Sequence, residues 1–263
     1  MYINLQMEII YEDSEIIAIN KPSDLSVTHD RGSSDSLIEI LQKRRPDLKE
    51  ILVIHQLDKD ASGIMILAKN TDAQSRYCAL FEESKVKKTY LAFVSGRPDE
   101  LSGEIDAPLM QCKRDVRKME VDLKKGREAK TAWQLLADFG RISLVAARPL
   151  TERTHQIRVH FQYSGFPLEI DPLYGTNEPI MLSTFKTNYR LGKFAEEKPL
   201  IDRLTLCAYE LEIENHHFVA PIDKKFKATI KMLTKYNSQG PDAFINQQHF
   251  EQMLAAKPLS LDI

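Results

Sequence analysis

The chain alternates short apolar runs with polar turns, and the first runs are too short and too β-branched to read as helices. Ile9 to Tyr11 and Ile16 to Ile19 flank the turn Glu12-Asp13-Ser14, which predicts a hairpin ending at Lys21-Pro22, because proline cannot continue a ladder. Ser36 followed by Glu39 is a capping box, and Leu37, Ile38, Ile40 and Leu41 form a helical stripe that stops before Pro46. Ile51 to Ile54 and Ile64 to Ala68 read as two buried strands around a polar turn that holds Asp58, Asp60 and Gly63. A second capping box, Thr71 with Gln74, opens a helix with Tyr77, Leu80 and Phe81 inward. Lys88 to Gly96 reads as a strand with Tyr90 near its start, and Pro98 to Glu128 as a long polar excursion from the sheet.

Two strands around Asp138-Phe139-Gly140 predict a second hairpin. In Thr151 to Gly165, Ile157, Val159 and Phe161 face a core at helical spacing, with Gly165 as the C-terminal cap. Leu204 to Glu214 reads as a strand, Ala220-Pro221 as a break, and Lys225 to Leu233 as a basic amphipathic helix. Ser238-Gln239-Gly240-Pro241 reads as a linker, and the tail from Asp242 to Ala256 as one more helix with Phe244, Ile245, Met253 and Leu254 as its apolar residues. Strands outnumber helices and are joined by hairpins. The expected fold is therefore α+β, a mixed, largely antiparallel sheet with helices packed on it. Residues 1–237 are expected to form the catalytic domain and residues 238–263 a C-terminal helical extension.

Composition narrows this picture only a little. With 263 residues the chain can bury a full core, and no apolar run is long enough to span a bilayer. The N-terminus lacks the basic, apolar and small-residue regions of a signal peptide. Cys78, Cys112 and Cys207 match neither a zinc spacing nor a disulfide framework, so a cytoplasmic location is expected. The net charge of -2 does not announce a nucleic-acid partner. Charge is nevertheless uneven: Lys113 to Lys130 holds eight basic residues against four acids. A charge run alone is usually a solvated face. Neither a Gly-rich phosphate loop nor HExxH nor GxSxG occurs.

Three separated segments carry the chemistry: HQLDKDASGIMILAK from His55, KKTYLAFVSG from Lys87, and RTHQIRVHFQYSGFPLEIDPLYG from Arg153. In this order they resemble the RluA-type pseudouridine synthases, whose patterns are HRLD-x-x-TSG, K-x-Y-x-A, and GR-T-HQIR-x-H followed by GD-x-x-YG. INKPSDLSV resembles the family's NKP-x-G-x-x-V. The resemblance runs from about Glu8 to Lys235.

It implies isomerisation of uridine within RNA, with no redox change or hydrolysis and so no cofactor or metal. It implies that Asp58 is the catalytic carboxylate, as nucleophile or base, that Arg158 is the cation keeping it ionised, and that Tyr90 stacks on the extruded base. It further implies RNA contacts at Gln56, Lys88, Arg114, Arg117, Lys118, Arg153 and His155. His55 and His160 read as structural. The chain is expected to start at the catalytic sheet, without the RNA-binding head domain of many relatives, and to be a monomer. Ribosomal and transfer RNA both stay open as substrates.

The pattern is not kept throughout. Gln56 stands for the family's arginine, Ala61 for its threonine, Asp24 and Glu152 for two glycines, Ile170 for the glycine before Asp171, and Cys207 for the histidine of LHA. These departures leave a second reading open: an RNA-binding protein on the same fold without efficient catalysis. Asp58-Lys59-Asp60-Ala61-Ser62 also looks superficially like the nucleophile motif of haloacid-dehalogenase-type phosphatases. That class needs Mg²⁺, a parallel sheet and later acidic ligands, and here the sheet reads antiparallel.

Overall fold

The first hairpin forms where the apolar alternation places it. Strands β1 (Glu8–Glu12) and β2 (Ile16–Lys21) pair antiparallel, and the Asp13 carboxylate accepts the backbone N–H groups of Glu15 and Ile16 to close the turn. The computed structural model describes residues 7–29, 35–191, 196–236 and 240–263. Packing divides the chain into two compact units: residues up to Thr89 with Cys207–Pro221, and Tyr90–Leu206 with the residues from Ile222 onward.

In the first unit, helix α1 (Leu37–Arg44) starts at Ser36 with both halves of the capping box in place. β3 (Leu52–Val53) and β2 both pair antiparallel with β4 (Ser62–Ala68), and all seven β4 residues are buried. The expected strand Ile51 to Ile54 is thus cut to two residues. Polar groups around it find other partners: the Gln74 amide donates to the Val53 carbonyl (2.9 Å), the Cys78 thiol to the Ile54 carbonyl (3.4 Å), and Ile66 N–H to His55 Nε2 (3.1 Å). Gln74 and Cys78 sit one turn apart on α2 (Thr71–Glu82), so one face of that helix carries the segment away from the sheet. Gln74 is therefore not used in a capping box. α2 is capped one residue earlier than expected, by Asn70, whose side chain accepts from Ala73 N–H. Leu37, Ile40 and Leu41 of α1 pack on Ile17, Ile19, Met65 and Leu67 of the sheet.

Strand β11 (Leu206–Ile213) pairs parallel with β4 at Cys207–Ser62 and Ala208–Gly63. At Gly63, φ is +116°, and a Cβ there would lie 2.0 Å from the Ala208 carbonyl oxygen, so no other residue fits. β11 then turns back into β12 (His216–Val219), a strand with no separate signal in the apolar pattern.

In the second unit, β5 (Lys87–Ser95, mostly in this unit), β10 (Ile142–Pro149), β9 (Lys130–Asp138) and β6 (Ser102–Asp106) run antiparallel in that order. β6 belongs to the sheet, so the excursion begins later than its polarity suggests. What leaves the sheet is a small two-stranded ribbon, β7 (Leu109–Gln111) and β8 (Met119–Val121). Helix α3 (Gln156–Tyr163) is followed at its C-terminus by Gly165 with φ +86°. Its residues from Gln156 to Phe161 are all buried, so it is enclosed rather than amphipathic. Helix α4 (Lys224–Tyr236) carries Phe226 onto Phe93 of β5.

The expected tail helix is shorter: a 3₁₀ turn, Gly240–Ala243, precedes α5 (Gln247–Leu254), and Ile245 between them is exposed. Ser238 and Gln239 of the expected linker lie outside the described residues. Within each unit the described strand pairings are antiparallel except at β4–β11, which makes the fold the mixed, largely antiparallel α+β class. No helix among the described residues is long and apolar enough to cross a membrane.

Candidate functional site

In the first unit the candidate carboxylate, Asp58, is half-buried in the loop between β3 and β4. His55 anchors the start of that loop. It is buried, stacked on Phe81 (ring centres 4.5 Å apart), and accepts from Ile66 N–H, which places its proton on Nδ1. Burial, reinforced by the Lys88 ammonium, pushes its pKa down to about 3, so it is neutral.

The far side of the loop is held by a residue whose importance the sequence did not flag, Lys21. Its wholly buried ammonium donates to the carbonyls of Pro22 (3.0 Å), Leu25 (2.8 Å) and Lys59 (2.9 Å). A buried ammonium is tolerated only when its N–H groups are satisfied in this way. Leu25 N–H also donates to the Lys59 carbonyl (3.2 Å), and the Ser23 hydroxyl to that of Asp60. The Asn20-Lys21-Pro22 segment and the Asp58 loop are therefore one construction. Asp24, between the two anchors, has φ 65°, the conformation glycine adopts most readily. Gln56 is exposed. Lys88 is buried, its ammonium 5.3 Å from the Phe81 ring centre, so it is not offered at the surface.

The second unit carries Tyr90 and Arg158. Tyr90 is buried in β5, opposite Ala147 of β10. Arg158 lies on α3, and the residues around it explain the helix's placement. Gln156 donates to the Lys130 carbonyl (2.8 Å) and to Thr131 Oγ1 (3.0 Å). His160, one turn on, bonds Thr131 Oγ1 (2.9 Å) and the Ala107 carbonyl (2.9 Å). These two side chains pin the helix to β9 and fix where Arg158 points. Burial depresses the His160 pKa.

The Arg158 guanidinium forms a two-pronged ion pair with Asp171, Nε to Oδ2 at 2.7 Å and Nη2 to Oδ1 at 2.8 Å, with both side chains buried. Asp171 Oδ1 also accepts from Leu173 N–H and Tyr174 N–H. Desolvation of this carboxylate is thus offset by several donors. Gly175 completes the turn, where a Cβ would come within 2.6 Å of the Leu168 carbonyl oxygen.

The residues expected to touch RNA are spread over both units. Arg114 and Arg117 are exposed in the loop joining β7 to β8, Arg117 paired with Asp115 (2.7 Å). Lys118 lies 6.0 Å from the Tyr174 ring centre. Arg153 donates to the carbonyls of Glu128 (3.0 Å) and Glu152 (2.8 Å). His155 has φ 54° just before α3, and its Nδ1 lies 2.8 Å from Tyr174 Oη. Sequence reading placed Asp171 and Tyr174 within a motif but gave neither a role. The signal was there, in the D-x-x-YG spacing, although nothing local connects it to an arginine thirteen residues earlier.

Among the described residues, Glu210, Glu212 and His217 bring three ligand atoms within 4.8 Å of one another. They lie on the β11–β12 hairpin, where Lys87 already pairs with Glu212 (3.6 Å), and read as a cross-strand charge network.

A family model described as RNA pseudouridylate synthase matches residues 15–163. A ribosomal large subunit pseudouridine synthase C of Buchnera aphidicola (from Acyrthosiphon pisum) is 36% identical over 192 residues, covering 72% of this chain and 60% of its own. A ribosomal large subunit pseudouridine synthase D of Borreliella burgdorferi is 33% identical over 211 residues, covering 74% and 64%. A second synthase C, from Buchnera aphidicola of Baizongia pistaciae, is 32% identical over 232 residues, covering 86% and 70%. The chain thus spans about three fifths of the length of the first two relatives. In fold it is similar to human RNA pseudouridylate synthase domain containing 1, with a TM-score of 0.68 at 23% identity over 96% of both chains.

Proposed function

We propose that this chain, which belongs to the RNA pseudouridylate synthase family, isomerises uridine to pseudouridine in RNA of the ribosomal large subunit. The C1′–N1 bond breaks, the uracil turns over, and C5 joins C1′. The hydrogen on C5 leaves and N1 gains one, so the reaction needs neither an oxidant nor a reductant. The family match supports the reading, because residues 15–163 include Asp58, Tyr90 and Arg158. The names of the relatives supply the substrate class.

In this reading Asp58 is the nucleophile or base, and the loop held by His55 and Lys21 sets its position. Arg158 is the cation of this reading, and Asp171 holds its guanidinium through two hydrogen bonds. Tyr90 stacks on the extruded uracil. The exposed basic loop between β7 and β8 contacts phosphates.

The test is pseudouridine formation on an unmodified large-subunit ribosomal RNA transcript, with and without EDTA. Wild type is expected to convert uridine equally in both. Asp58→Asn keeps the shape and loses the charge, so its rate should fall by at least about a thousandfold, some 4 kcal/mol of barrier. An Asn variant within tenfold of wild type would remove Asp58 from the chemistry.

A further inference from the structure

Tyr174 joins two parts of the second unit that its own motif does not suggest. Its hydroxyl accepts from Met119 N–H of β8 (2.7 Å) and bonds His155 Nδ1 (2.8 Å), the residue that opens α3. Its side chain belongs to one apolar cluster with Leu109 of β7 and Val159 of α3, against which Met119 and Val121 of β8 pack. The Arg158 guanidinium lies 5.1 Å from the ring centre and the Lys118 ammonium 6.0 Å, within reach of cation–π attraction.

A ribbon of three-residue strands is marginal by itself and takes its orientation from what anchors it. Met119 is where the ribbon emerges from its basic tip. There Cys112 N–H bonds the Lys118 carbonyl (2.9 Å), and Lys118 N–H that of Asp115 (2.9 Å). The tip is cross-linked by local hydrogen bonds: Asp115 accepts from both the backbone and the guanidinium of Arg117, and the Gln111 amide donates to the Val116 carbonyl (2.8 Å). Tyr174 thus holds the ribbon at the residue next to its tip.

We propose that Tyr174 is a positioning residue, a latch that ties the basic β7–β8 ribbon to the helix carrying Arg158. One side chain then joins the place where RNA is gripped to the ring that lies against the arginine. The proposal rests on the RNA-modifying reading above and adds a division of labour within it. The hydroxyl holds the ribbon, which governs RNA binding, while the ring lies against Arg158, which governs the chemical step.

Tyr174→Phe removes only the hydroxyl, and Tyr174→Leu removes the ring as well. With the ribosomal RNA transcript as probe, Tyr174→Phe should raise KM about tenfold with kcat within about twofold, the signature of a lost binding contact. Its hydrogen exchange should quicken at the Met119 amide while α3 keeps its protection. Tyr174→Leu should show the same rise in KM and a further fall in kcat of about tenfold. Unchanged KM and unchanged Met119 exchange in Tyr174→Phe would overturn the latch. So would equal kcat losses in both variants together with a lowered melting temperature, which would mark a merely structural tyrosine. Should wild type form no pseudouridine, the assigned activity falls, and Met119 exchange together with affinity for the same transcript then decides the latch.

Discussion

Asp24 shows how a departure from a family pattern can be absorbed by one dihedral angle. It stands where the pattern has glycine, and its φ of 65° is the reason glycine suits the position. Aspartate tolerates this region because a short polar side chain bonds locally, whereas a β-branched residue clashes. Asp24→Gly should therefore leave stability within about 0.5 kcal/mol, the chain entropy of glycine offsetting the relieved strain. Asp24→Val should cost about 2 kcal/mol, read as a shift in urea midpoint. Equal midpoints for the two variants would show that the left-handed turn is not kept in solution. Glu152, by contrast, is not among the non-glycine residues with positive φ, so the loss of glycine there carries no backbone cost. Lys21 makes a related point. A lysine beside a proline looks like a surface charge, yet its ammonium is the buried knot that ties two loops together.

At the scale of elements, a helix can begin where a side chain is needed elsewhere. Thr71 and Gln74 have the spacing of a capping box, but Gln74 is committed to the Val53 carbonyl and Asn70 takes the cap. Asn70→Ala should then cost about 1 kcal/mol, and Thr71→Ala only a few tenths. Denaturant unfolding of the two variants checks this, and the reverse order would restore the box at Thr71. The same logic governs α3. The polar residues Gln156 and His160 are buried because each meets Thr131, so this helix docks through hydrogen bonds as well as apolar contact.

For the whole molecule, a buried neutral histidine makes stability depend on pH. His55 has a pKa of about 3 when folded, against an ordinary 6.5. Between those values the unfolded chain binds a proton that the folded chain does not. The contribution is full above pH 6.5 and is lost progressively as pH falls toward 3, by up to about 1.4 kcal/mol per pH unit. Wild type should thus lose about 2 kcal/mol more than His55→Gln between pH 7.5 and pH 5, measured by urea unfolding. Parallel pH dependence in the two proteins would place His55 in contact with water. The overall charge of -2 has less to say, because charge is unevenly placed, with eight basic residues against four acids in Lys113 to Lys130 around the ribbon.

The sequence by itself determined the strand-rich α+β class, the β1–β2 and β9–β10 hairpins, the α1 cap, and the residues on which the chemistry is proposed to turn. Each rests on information within a few residues: an alternation, a cap spacing, a turn, or a short motif. Tertiary structure decided the rest. It shortened the strand before Asp58, because His55, Gln74 and Cys78 supply the hydrogen bonds a longer strand would have made. It drew β6 into the sheet, buried Lys21, enclosed all sides of α3, and gave Arg158 the partner Asp171 and Tyr174 its place between ribbon and helix. These outcomes depend on which polar groups meet after folding. A buried donor must find an acceptor wherever the chain brings one, and that meeting leaves no local trace in the pattern of apolar and polar residues.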